Sequence, residues 1–187
     1  KDNVESVEVE VAGHVAKRDP ELIARAVLKG LLGGVTAQAV NLLNARFLAR
    51  ERGGEVVIRT DEEAPTGYTN LVTVTTHAGS GRKIIAGTVF DGVPRIVRLR
   101  DLHIEFVPEG HILVLSYEDR PGMVGKIGTI LGRRNVNIAS MHVGRRTKRG
   151  GAIVVLLLDE DVPPEVMEEV SKAVEAGSKA IICASTG

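Results

Sequence analysis

Ile153-Val154-Val155-Leu156-Leu157-Leu158 is an unbroken run of six branched aliphatic residues. A strand with one wet face alternates apolar and polar residues, whereas a strand covered on both faces reads as a continuous apolar run. This segment therefore needs cover on two sides, from the rest of the chain or from a second copy. An aliphatic sheet face left open would be an interaction surface or an aggregation liability, so the run favours a homo-oligomer.

The flanking pattern supplies the rest of a domain. His111 to Tyr117 reads as a strand, and Met123 to Arg134 as a helix with Met123, Ile127, Ile130 and Leu131 on its buried stripe. Gly125, Gly128 and Gly132 are expected to let that helix approach a sheet closely. Strands over Asn135–Arg145 and Gly151–Asp159, a helix opened by Pro163-Pro164 and a strand over Ala180–Ala184 complete the order β-α-β-β-α-β. That order specifies a ferredoxin-like antiparallel sheet with both helices on one face.

The first 108 residues read as a separate α+β domain. Val4, Val7, Val9 and Val11 interleave with Glu5, Glu8 and Glu10 at strand spacing. Asp19-Pro20 opens a helix to about residue 32, stopped by Gly33-Gly34. Thr36 is placed to cap a second helix carrying Val40, Leu43 and Phe47, which Gly53-Gly54 ends. Five strands follow between Glu55 and Val107, separated by Pro65-Thr66-Gly67, Gly79-Ser80-Gly81 and Asp91-Gly92. The expected domains are 1–108, a mixed sheet with two helices, and 109–187, with Val107-Pro108-Glu109-Gly110 as the linker.

Composition narrows the function classes. The 187 residues hold 24 Lys plus Arg and 24 Asp plus Glu, a formal net charge of zero. With no Trp, two Tyr and three Phe, the chain has neither the basic bias nor the aromatic platform of a nucleic-acid binder. No apolar run reaches the length of a membrane helix, and Lys1 to Glu5 is polar. One cysteine, Cys183, rules out an intrachain disulfide and fits a reducing compartment. A cytoplasmic protein binding neither nucleic acid nor membrane is expected. The three methionines are Met123, Met141 and Met167, and the missing initiator suggests a piece of something longer.

The five histidines show no metal-ligand spacing, and neither a G-x-S-x-G elbow nor a nucleotide cradle is present, so no catalytic site, metal or cofactor is expected in this chain. Gly125-Lys126-Ile127-Gly128 matches the bare G-x-x-G of an RNA-binding loop, but inside an expected helix. The loop Glu118-Asp119-Arg120-Pro121-Gly122 is more informative. A helix N-terminus offers unpaired N–H groups to a carboxylate, and Asp119 offers a charge to an ammonium group. Together they suit a zwitterion, with the Asn137 amide as a further donor and acceptor. Asp119 is equally well placed simply to cap the helix. Arg133, Arg134, Arg145, Arg146, Lys148 and Arg149 read as a solvated, basic hairpin region. Arg95, Arg98, Arg100 and His103 could line an anion site, although strict alternation puts Arg95 on the face opposite Arg98 and Arg100.

Tyr117-Glu118-Asp119-Arg120-Pro121-Gly122-Met123-Val124-Gly125-Lys126-Ile127-Gly128, then Leu131-Gly132, Asn135-Val136-Asn137-Ile138-Ala139 and Leu158-Asp159-Glu160-Asp161-Val162-Pro163, resembles the ACT domain at the C-terminus of D-3-phosphoglycerate dehydrogenase. Val4 to Val9, Asn44-Ala45, Leu48 to Gly53 and Phe106 to Gly110 are similar to the intervening, allosteric substrate-binding domain of the long form of that enzyme. The resemblance implies a regulatory pair of domains in which L-serine, held at an ACT dimer interface, lowers activity. The implied serine residues are Tyr117, Asp119 and the turn at Gly122 from one chain, with Asn137 from its partner. It also implies an anionic effector near Arg95 and His103, assembly as a homodimer or tetramer through the ACT sheet, and catalytic domains binding NAD elsewhere in a longer chain. The regulatory part of an L-serine dehydratase, which shares the ACT domain and which serine would activate, is the alternative, with a G-x-x-G RNA-binding module as a third reading.

Overall fold

The computed structural model describes residues 4–34, 36, 38–145, 147 and 150–184. The chain forms two compact units, Lys1–Asp101 and Leu102–Gly187.

The first unit opens with β1 (Val4–Gly13), a short 3-10 turn at His14–Lys17, and helices α1 (Pro20–Gly33) and α2 (Ala45–Glu51). Strands β2 (Glu55–Asp61), β3 (Asn70–Ala78), β4 (Gly81–Phe90) and β5 (Val93–Leu99) follow. The strands of this unit lie in the order β2-β1-β3-β4-β5, with β1 parallel to β2 and antiparallel to β3, so the sheet is mixed. The alternation in β1 places Val7, Val9 and Val11 in the core against Ala24, Leu28 and Leu32 of α1 and Ala45, Leu48 and Ala49 of α2. Each fully buried valine contributes about 1.5–3 kcal/mol by leaving water.

Asp19 caps α1 as expected, its carboxylate accepting from the Leu22 N–H at 2.9 Å. The second helix is shorter than its apolar spacing suggests. Thr36 accepts from the Gln38 N–H in a local turn. Asn41 accepts from the N–H groups of Leu43 and Asn44, while Asn44 accepts from the Asn41 N–H. These side chains satisfy the backbone outside a helix, which delays α2 to Ala45. Leu43 and Phe47 consequently point into solvent, 85% and 62% exposed, rather than into the core.

The second unit contains β6 (Leu102–Phe106), β7 (Gly110–Glu118), α3 (Met123–Arg133), β8 (Ile138–Arg145), β9 (Gly151–Leu158), α4 (Pro164–Ala173) and β10 (Ser178–Ala184). From β7 onward the order is β-α-β-β-α-β, and the antiparallel sheet runs β10-β7-β9-β8. Leu113, Leu115 and Tyr117 of β7 and Val154, Leu156 and Leu158 of β9 pack with Ile127 and Leu131 of α3 and Val166 and Val170 of α4. Both helices thus cover one face.

The aliphatic run is buried on both sides, because Ile153 and Val155, which face away from the helices, are covered as well. Register pairs these two with Gly144 and His142 of β8. There β6 lies close: a Cβ at Gly144 would stand 3.4–3.5 Å from the His103 carbonyl oxygen and the Leu102 and Ile104 side chains, and the Phe106 and His142 rings are 6.2 Å apart. This packing places β6 in the second unit. It also means that burial of the run does not by itself require a second copy.

The α3 glycines do not serve close packing. A Cβ at Gly125, Gly128 or Gly132 would meet nothing within 4 Å, since the buried stripe of Met123, Ile127, Ile130 and Leu131 turns them away from the sheet.

Candidate functional site

Strands β7 and β8 are both antiparallel to β9, so they run parallel to each other and end on the same side of the sheet. Glu118 pairs with Gly151 and Arg145 with Ala152, which brings the residue after β7 beside the last residue of β8. Arg145 Nη1 donates to Asp119 Oδ2 at 2.8 Å, and the Asp119 N–H donates to the Gly150 carbonyl at 2.9 Å. The loop is therefore fastened at its side chain and its backbone.

Asp119, Arg120, Pro121, Gly122, Met123, Val124 and Arg145 line a cleft of about 410 Å³. Gly122, at φ 91°, takes the left-handed turn into α3, and among the described residues no side chain caps that helix. Asp119 is thus not a cap. Its charge faces a guanidinium instead, while the first-turn N–H groups of α3 have no side-chain partner in the cap position. One wall carries a carboxylate, another a guanidinium, and a helix N-terminus closes the floor. Such a set accommodates one ammonium and one carboxylate at once.

Tyr117 lies deeper. It is 4% exposed within the helix-facing core, and its buried hydroxyl has no hydrogen-bond partner among the described residues. Burial pushes the phenol up from its usual range, and the negative charge of nearby Asp119 adds to the effect. The phenol is held neutral.

Asn137 stands elsewhere. It precedes β8, whose first residue Ile138 pairs with Leu158 at the end of the sheet where β7 begins. Eight residues separate it from Arg145, or roughly 25 Å along a strand. It is exposed, donates to Asp159 Oδ2 at 2.6 Å from its amide and to Glu160 Oε2 at 2.9 Å from its backbone. The fold therefore gathers Asp119 and Gly122, sets Tyr117 beneath them, and leaves Asn137 at the opposite end of the same unit.

Arg145 is the cleft residue that the sequence concealed. It reads there as one of several basic residues around a hairpin. The signal lies in the β-α-β order, which makes the two strands parallel and aligns their ends. Arg146, Lys148 and Arg149 of that cluster lie outside the described residues.

The four candidates for an anion site divide between the units. Arg95, Arg98 and Arg100 belong to the first and His103 to the second. A register shift in β5 between its pairings with Ala86 and Gly87 breaks the alternation. Arg98 Nε donates to the Arg100 carbonyl at 3.0 Å, and Arg100 itself sits at φ 53° beyond the strand. The G-x-x-G segment lies inside α3.

Residues 1–100 match the model of the D-3-phosphoglycerate dehydrogenase intervening domain, and residues 111–175 match that of the ACT domain. The chain belongs to the D-3-phosphoglycerate dehydrogenase intervening-domain family. Its second unit is an ACT domain. The chain is 37% identical over 171 residues to D-3-phosphoglycerate dehydrogenase from Archaeoglobus fulgidus, an alignment covering 90% of this chain and 32% of that protein. Against the same enzyme from Methanocaldococcus jannaschii the identity is 34% over 180 residues, covering 96% and 34%. The chain spans about a third of the length of these curated relatives and corresponds to their regulatory part, the intervening domain followed by the ACT domain. Among solved structures, an unknown protein from Galdieria sulphuraria aligns with 42% of this chain and 46% of its own at 17% identity and a TM-score of 0.35.

Proposed function

We propose that this chain is an amino-acid sensor for D-3-phosphoglycerate dehydrogenase, binding L-serine in the ACT domain between two copies and so exerting feedback control on serine synthesis. The observation that carries this reading is the cleft at Asp119. It presents a carboxylate to an ammonium group and both a guanidinium and open helix N–H groups to a carboxylate, within a loop fastened to β8. Serine is a small, net-neutral zwitterion, and because Arg120, the other cation of the lining, is already paired with Glu175 at 2.8 Å, Asp119 and Arg145 are the opposite charges it would meet. Two copies are needed because Asn137 lies roughly 25 Å from the cleft in its own chain. Packed antiparallel, each copy would place its Asn137 end against the other's Asp119 end, making two equivalent sites about a twofold axis.

Ligand bound across such an interface favours the paired state by its differential affinity for it, and this is how serine occupancy would reach catalytic domains in a longer, NAD-binding chain. No residue of this chain is assigned to NAD or to the oxidation of 3-phosphoglycerate. Among the described residues no helix is long and apolar enough to cross a membrane, and a soluble protein with a cytoplasmic site of action accords with a biosynthetic role.

Titration calorimetry with L-serine, run beside sedimentation velocity, tests the proposal. Saturable heat is expected, together with a shift toward the dimer. Both Asp119→Ala and Asn137→Ala should abolish the heat, and mixing the two variants should restore one of the two sites in each mixed dimer, about a quarter of all sites after random re-pairing. Absence of heat at millimolar serine would refute it.

A further inference from the structure

The established likeness concerns the domains, and the amino-acid reading rests on Asp119. That reading counts the Arg145 guanidinium among the groups facing a carboxylate but does not say how it leaves Asp119 or what it selects. This guanidinium, half exposed, occupies the carboxylate that an incoming ammonium group would need. Both side chains line the same cleft. We propose that Arg145 is the specificity-determining residue of this site: the ligand's ammonium group takes its place on Asp119, and the released guanidinium takes the ligand's carboxylate. This inference rests on the amino-acid reading above.

The charge balance makes the exchange selective. In the closed pair one negative and one positive group neutralise each other. A zwitterion inserted between them adds one of each, so every charge keeps an opposite neighbour. An amine lacking a carboxylate would displace Arg145 and leave it without a partner in the cleft, and a carboxylate lacking an amine would leave Asp119 with two anionic demands on one guanidinium. Only a ligand bearing both groups gives each member of this partly solvated pair a new opposite charge, so that no ion pair is lost when it opens. Position supports the exchange. Arg145 ends β8 and has a long, partly solvated side chain, so swinging between two oxygen acceptors in one cleft requires side-chain rotation alone. Asp119, less exposed and anchored through its N–H to Gly150, is the fixed member.

Calorimetry with L-serine and with ethanolamine, which is serine without its carboxylate, reads this directly. The wild-type chain should bind L-serine and give no saturable heat with ethanolamine over the same range. Arg145→Met should weaken L-serine by about tenfold or more, the loss of a charge-assisted hydrogen bond, while ethanolamine gains, so the preference collapses. Arg145→Lys should keep part of the preference. Melting temperatures within a few degrees of wild type confirm that the variants fold. If Arg145→Met weakens both ligands equally, the residue only positions Asp119 and the assignment fails. If Arg145→Met leaves serine binding unchanged while Asp119→Ala abolishes it, the amino-acid site stands and the role of Arg145 falls. If neither the wild type nor the variants give heat with L-serine, the amino-acid reading itself is overturned, and this inference with it.

Discussion

Arg145 Nη1 donates to Asp119 Oδ2 at 2.8 Å, joining the last residue of β8 to the first residue after β7. The pair is partly solvated, so its net contribution to stability is small, about 0–1 kcal/mol. Removing Asp119 is therefore expected to leave the fold intact: thermal unfolding of Asp119→Ala should stay within about 1 kcal/mol of wild type. A large loss would mean that the pair serves the fold rather than a ligand.

Gly13 carries the opposite expectation. At φ 91° it turns the chain out of β1, and a Cβ there would stand 2.1 Å from the Thr69 carbonyl oxygen. That oxygen is backbone and cannot swing aside. Gly13→Ala should destabilise the first unit by upwards of about 2 kcal/mol, combining left-handed strain with overlap. Denaturant titration of the variant checks it.

The α3 glycines invite the reverse substitution. Gly125 and Gly132 have open space where a Cβ would go, within a helix whose other face already fixes its packing. Alanine at either position should stabilise the second unit by about 0.5–1 kcal/mol, chiefly through backbone entropy. A rise in melting temperature together with weaker self-association would show that a second copy approaches this face.

Tyr117 links the core to alkaline pH. Its folded-state pKa is raised, first by burial and then by Asp119, so the neutral phenol is favoured in the folded chain. The associated stability is fully present below about pH 10, the usual phenol value, and is lost as pH rises through the folded value. Tyr117→Phe also removes a buried hydroxyl that has no partner among the described residues, and such a group costs about 1–3 kcal/mol to bury. The variant should be at least as stable as wild type at pH 7 and should lose less stability between pH 9 and 11, as urea titrations at each pH would register.

Glu21 gives the acid-side counterpart. The Arg46 guanidinium hydrogen-bonds its carboxylate and Arg25 approaches from the next turn, so its pKa is lowered. A lowered carboxylate pKa contributes stability above the unfolded value and loses it as pH falls through the folded one. Glu21→Gln should cost up to about 1 kcal/mol at pH 7, with the difference from wild type shrinking once pH falls below about 4.3, the usual glutamate value, and vanishing below the lowered folded value.

Much of the fold follows from local pattern. Alternation in β1, the Asp19-Pro20 start of α1, the turn residues and the β-α-β-β-α-β order are short-range properties, and the elements other than α2 form within a few residues of their expected limits. The same holds for Asp119 and Gly122, which share one loop. Local spacing misled where two local signals competed. Val40, Leu43 and Phe47 are spaced for a helix, yet the side chains of Thr36, Asn41 and Asn44 satisfy the backbone another way.

The sequence by itself determined which segments become strands and helices, because hydrophobic period, caps and turn residues act over a few positions. The tertiary structure alone decided which of the charged side chains meet. Arg145 is 26 positions from Asp119 and touches it, while Asn137, eight positions closer in sequence, stands at the far end of the sheet. Parallel alignment of β7 and β8 across β9 sets both distances, and that pairing follows from burying the aliphatic run between its neighbours, not from any property of the two residues themselves.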